Sequence, residues 1–183
     1  WNGTTWDSLG GGLNGNVYCM TVFNGDLIVG GNFYQAGGVN AEHVARWNGS
    51  SWSAMDAGFD APVNDLAVYN SELYAGGNFH RSVPDTMYYI AKWNGTDWDS
   101  IANDEFNGVV YALEVYNGSL YAGGDFDFND SLNYIAYWNG STWNGCDSGF
   151  DDIVYDFAVY NGELYAGGMF DGFYDFSTAN YIV

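Results

Sequence analysis

From Val110 to Tyr116 the chain reads V-Y-A-L-E-V-Y, a run rich in apolar and β-branched residues. Asn117-Gly118 interrupts it, and S-L-Y-A-G-G-D-F resumes it from Ser119 to Phe126. Asn-Gly between two such runs predicts a two-residue type I′ hairpin, because both turn positions need positive φ. A polar stretch then leads to Y-I-A-Y-W at Tyr134 to Trp138, to Asn139-Gly140, and to S-T-W at Ser141 to Trp143. This predicts four short antiparallel strands, a to d, with tight a–b and c–d links.

The unit recurs through the chain. Each copy carries W-N-G-x-x-W, starting at Trp1, Trp47, Trp93 and Trp138, which are 46, 46 and 45 residues apart. A fixed period of this length marks a stacked or radial array. Strand a is apolar on both faces. One row holds Met20-Val22, Leu66-Val68, Leu113-Val115 and Phe157-Val159; the other holds Thr21, Ala67 and Ala158, with Glu114 as the exception. A strand apolar on both faces is buried on both sides, so strand a is the innermost. Strand b carries Gly30-Gly31, Gly76-Gly77, Gly123-Gly124 and Gly167-Gly168, which predict close backbone approach or a bulge. If the c–d link has two residues, Trp138 faces Ser141 and Trp143 lies diagonally on the same face. The pairs Trp1/Trp6, Trp47/Trp52, Trp93/Trp98 and Trp138/Trp143 are therefore expected to be the core joining one sheet to the next.

A four-stranded antiparallel unit at this period is a propeller blade. The pattern V-Y-N-G-x-L-Y-A-G-G-x-F followed by Y-I-A-x-W-N-G-x-x-W resembles kelch-like, galactose-oxidase-type β-propeller repeats, and more narrowly those of large secreted bacterial surface proteins. It departs from kelch at the c strand, where W-N-G replaces a tyrosine-containing turn. The expected fold is all-β, a β-propeller of four four-stranded antiparallel blades. One array spans 1–183, with repeats 1–46, 47–92, 93–137 and 138–183. Either Thr4 to Ser8 closes the last blade, or the array is an excerpt of a longer one. The first residue is Trp rather than Met, so the chain reads as trimmed or as part of a longer one.

Charge narrows the partners. There are 23 acidic residues against 3 basic ones, Arg46, Arg81 and Lys92, for a net charge of −20. Such a surface repels phosphate backbones, so no nucleic acid is expected. No apolar run is long enough to span a bilayer, so no membrane insertion is expected. Cys19 and Cys146 are too few for a disulfide framework and are expected to be free thiols.

Candidate chemistry lies in the longer d–a and b–c loops, which hold most of the acids. Asp125-x-Asp127-x-Asn129, with Asp130, offers the alternating oxygens that calcium prefers. Asp130 occupies the EF-hand glycine position, however, and a solvated acidic loop accounts for the same residues. Calcium is the one candidate ion; no other cofactor is expected. The loop aromatics Tyr34, Tyr88, Phe128, Phe173, Tyr174 and Phe176 either contact a glycan or protein partner or cap the blades. His43 and His80 are the only imidazoles and have no matched nucleophile motif, so no catalysis is expected. The sequence leads us to expect a non-catalytic extracellular structural or binding module, self-assembling or adhesive at a cell surface. Its partners would be itself, other surface proteins or glycans. The alternative is a calcium-dependent, lectin-like propeller.

Overall fold

The computed structural model describes residues 3–80, 87–101, 106–127 and 133–173. Every regular element among them is a β-strand. Blade I holds β1 (Asn16–Phe23) and β2 (Asp26–Asn32), a small hairpin of β3 (Gln35–Ala36) and β4 (Val39–Asn40), then β5 (Val44–Trp47) and β6 (Trp52–Ala54). Blade II holds β7 (Val63–Tyr69), β8 (Glu72–Gly77), β9 (Ile90–Trp93) and β10 (Trp98–Ser100). Blade III holds β11 (Val109–Tyr116), β12 (Ser119–Asp125), β13 (Ile135–Trp138) and β14 (Trp143–Gly145). Blade IV shows β15 (Val154–Tyr160) and β16 (Glu163–Gly168). The strands of each blade pair in chain order, all antiparallel, with the β3–β4 hairpin as a separate ladder. The first strands stack in file, β1 on β7, β7 on β11 and β11 on β15. The fold is an all-β propeller of four blades.

The a–b turns are as expected. Asn24-Gly25, Asn70-Ser71, Asn117-Gly118 and Asn161-Gly162 all have positive φ at both positions. The c–d links differ from expectation. Trp47, Trp93 and Trp138 pair directly with Trp52, Trp98 and Trp143, so each loop has four residues rather than two. The asparagine side chain sets this length. Asn94 Oδ1 accepts from the amides of Thr96 and Asp97 at 2.9 Å each, and Asn48 and Asn139 do the same. An Asx side chain competes here with the backbone for turn hydrogen bonds. The indoles still share a face, with ring centroids 5.3 to 5.5 Å apart.

Each first strand carries a bulge near its start, opposite the glycine pair. The first glycine is where the next blade seats. A Cβ on Gly30, Gly76 or Gly123 would lie 2.6 Å from Cγ1 of Val63, Val110 or Val154 in the following blade. The cores therefore lie between blades, as the joint of Ile28 and Val44 with Val63, Leu66 and Trp98 shows.

The tryptophans divide. Trp52, Trp98, Trp138 and Trp143 are buried, while Trp47 and Trp93 are half-buried and pack against these cores. Trp1 lies outside the described residues. Trp6 is not core: it is 83% exposed. Thr4 to Ser8 form no strand, so they do not supply the outer strand that would close the last blade.

Candidate functional site

The longer loops are built by a device the sequence reading missed. The residue after Leu13, Phe59, Phe106 and Phe150 is Asn14, Asp60, Asn107 and Asp151. Its side-chain oxygen accepts from the backbone where the b–c loop begins: Asn14 from Tyr34 and Gln35, Asp60 from His80, Asn107 from Asp127, and Asp151 from Asp171 and Gly172. Four clamps at one repeat position hold four loops. The signal in the sequence was the Asx residue following the recurring aromatic. Asp60 and Asp151, which read as loop acids, thus spend an oxygen on their own backbone.

That clamp bears on the calcium candidate. Asp125 and Asp127 are exposed, and Asn107 fixes the Asp127 backbone through both its amide and its carbonyl. Asn129 and Asp130 lie outside the described residues. Of the loop aromatics, Phe128, Tyr174 and Phe176 also lie outside. Tyr34 is exposed and meets His43 edge-on at 5.0 Å. Tyr88 is half-buried beside His80. Phe173 stacks on Phe150 at 5.5 Å and bridges to it, so it packs as a cap of blade IV. Tyr34 and Tyr88 meet rings of their own blades, whereas Phe173 also packs against the core shared by blades III and IV.

The imidazoles differ: His43 is part of the core, and His80 is exposed on its loop. His43 is buried with φ +66, the conformation of Tyr89 and Tyr134 at the same repeat position. Its Nδ1 donates to the Gly31 carbonyl at 3.1 Å, and burial lowers its pKa, so the ring is neutral. His80 Nε2 lies 2.8 Å from the Tyr89 hydroxyl. Cys19 and Cys146 are free, half-buried thiols as expected. Burial pushes Cys146 up to about 12 and Cys19 higher still. Glu114 lies half-buried with Oε1 accepting from the Val115 amide at 2.8 Å, a backbone cap on the inner strand.

A cavity lies elsewhere, on the side of the short turns and between blades I and II. It measures about 550 Å³, within the usual range for small-molecule sites. Its position follows from one residue. In blades II and III the tyrosine that ends the first strand donates to the next blade's turn: Tyr69 Oη to Gly118 O and Tyr116 Oη to Gly162 O, both at 2.9 Å. Phe23 holds that position in blade I and has no hydroxyl, and the cavity opens between it and Ser71.

Two of the three cations line this cavity. Arg46 Nε lies 2.6 Å from Asp26 Oδ2, and Lys92 Nζ lies 3.0 Å from Glu72 Oε1. Lys92 first, then the Tyr74 hydroxyl donating at 2.9 Å, holds the Glu72 carboxyl below its ordinary value. Asn94 donates to both oxygens of Asp99 at 3.1 and 3.0 Å. Asp99, on β10, thus lines the turn-side cavity. Trp93, Phe23 and Ile28 supply apolar wall.

A family profile described as the Rax2 C-terminal β-propeller domain matches residues 2–162. The chain belongs to that family. The computationally designed Ika4 protein is similar in fold, with a TM-score of 0.56 and 11% identity over 89% of this chain and 93% of that one. No curated protein matches the chain.

Proposed function

We propose that this Rax2-family propeller is a non-catalytic extracellular module, and that the cavity between blades I and II receives a neutral polyhydroxyl ligand, such as a sugar unit of a glycan. The observation that carries this reading is the composition of the cavity wall. Arg46 and Lys92 supply donors, while Asp26, Glu72 and Asp99 supply acceptors, and Trp93 supplies an aromatic surface. Hydroxyls donate and accept at once, so they match a wall of both kinds. An anion must displace Asp26 or Glu72 from its partner, and a cation meets Arg46 and Lys92. The kelch-like character of the repeats and their likeness to secreted surface proteins belong to the same proposal. The structural duty of buried His43 supports a binding role over an enzymatic one.

Calorimetry with a panel of neutral oligosaccharides, with and without calcium, tests this. Binding should be lost in Arg46→Ala and Asp99→Ala, both of which should melt like the wild type. Phe23→Tyr should also lose it, because a hydroxyl there is placed to reach the Ser71 carbonyl and close the opening. No binding by any neutral sugar would overturn the reading. Binding only with calcium would favour the acidic loop of Asp125 and Asp127.

A further inference from the structure

We infer that copies of this chain associate head to tail, the outer face of blade IV seating the first strand of blade I of a second copy. This goes beyond the cavity reading and is independent of the cavity ligand. The joint it requires is already made within the chain. At all three joints within the chain a valine of the following blade seats against the first glycine of the preceding one, and a large apolar residue of the same strand packs beside it. At the II–III and III–IV joints a tyrosine hydroxyl of the preceding blade also donates to the a–b turn of the following one.

Both halves of one more such joint stand open. On blade I, Met20 is 64% exposed, whereas its counterpart Leu113 is 7% exposed; Val17 is exposed where Val63, Val110 and Val154 are fully buried. On blade IV, Tyr160 is 64% exposed, whereas its counterpart Tyr69 is 3% exposed. Asp156 and Ala158 on the same face are exposed too, and Gly167 is less buried than Gly30, Gly76 or Gly123.

Tyr160 is also preset. Tyr69 leans on Tyr74 at 6.0 Å and 60°, and Tyr116 on Tyr121 at 5.9 Å and 60°. Tyr160 leans on Tyr165 at 6.2 Å and 59°, the pose from which the other two reach a turn carbonyl. Gly25 repeats the φ of Gly118 and Gly162, so the blade I turn presents its carbonyl in the same way. The outer half of blade I's face is already filled: Trp52 Nε1 donates to Leu9 O at 3.1 Å, and Gly10 lies against both indoles. Among the described residues the inner half is open, and β15 and β16 are inner strands. Because the two patches differ, the contact is heterologous, giving rings if the rotation closes and filaments if it does not. The −20 charge opposes association, so salt should promote it.

Light scattering on the 183-residue chain at about 0.3 M salt reads the answer. The expected mass is a multiple of 20.1 kDa that falls on dilution. Met20→Glu should run at 20.1 kDa with unchanged melting, since that side chain is exposed in the single chain. Tyr160→Phe should weaken association about five-fold, the loss of one hydrogen bond. A wild type that stays at 20.1 kDa at every concentration, or a Met20→Glu chain that associates like the wild type, would overturn the inference. Sugar binding by the monomeric Met20→Glu chain separates this result from the cavity reading, because Met20 does not line the cavity.

Discussion

The amide of Leu113 in blade III donates to the Asp65 carboxylate of blade II at 2.7 Å, joining the innermost strands of two blades. Asp65 also accepts from the Leu66 amide at 2.8 Å. First strands have an unpaired inner edge, and edges invite unwanted pairing. Acidic side chains cover this one: Asp65, Glu114 and Asp156 each cap a backbone amide of these strands.

Burial first, with help from Asp156 and Glu114, pushes Asp65 up to about 6 from its ordinary 3.8, against the pull of its two amides. The folded state therefore holds this proton more tightly than the unfolded chain. The linked stability is fully present below the ordinary value and is lost as pH rises towards about 6. Urea unfolding of the wild type and Asp65→Asn across this range should show the wild type's advantage shrinking with rising pH. A constant difference would contradict the assignment.

The tyrosine bridges predict a graded series. Tyr69→Phe and Tyr116→Phe each remove a hydroxyl bonded to the next blade's turn and should cost about 1 kcal/mol. Tyr160→Phe should leave the stability of the dissociated chain unchanged. Chemical denaturation of the three variants, in a monomeric background, checks this.

Blade spacing rests on glycine. A methyl group on Gly123 would lie 2.6 Å from Val154 and 2.8 Å from Phe157, so Gly123→Ala forces blades III and IV apart. Overpacking of this kind costs about 1–3 kcal/mol. Gly118→Ala meets no atom but takes positive φ, so its cost is backbone strain alone. Thermal unfolding should show Gly123→Ala losing contact between blades, read as a lower midpoint with weakened near-ultraviolet dichroism.

The indoles are unequal despite identical spacing. Trp98→Ala empties a site at the blade I–II joint and should cost about 3–5 kcal/mol. Trp6→Ala should change stability by less than about 0.5 kcal/mol, as exposed substitutions do. Equal losses would show that Trp6 is packed after all.

Blade I also explains where the sequence reading stopped. Strand order and the a–b turns were legible because apolar alternation and Asn-Gly act over a few residues. The c–d loop length was not, because the Asn94 side chain outcompetes the two-residue turn that the same dipeptide forms at Asn117-Gly118. The candidate sites were sought on the longer loops, where variable acids and aromatics gather. The cavity formed instead where Phe23 stands in a tyrosine's place, a one-atom difference that matters only once blade II lies alongside.

The sequence by itself determined the unit: its period, its strands, its glycine seats and its paired indoles, all consequences of local pattern repeated four times. Only the tertiary structure decided which copies of a repeated residue are buried. Trp6, Met20 and Tyr160 share their positions with core residues, yet they lie exposed. Burial depends on whether another blade faces the side chain, and that blade is built from residues dozens of positions away.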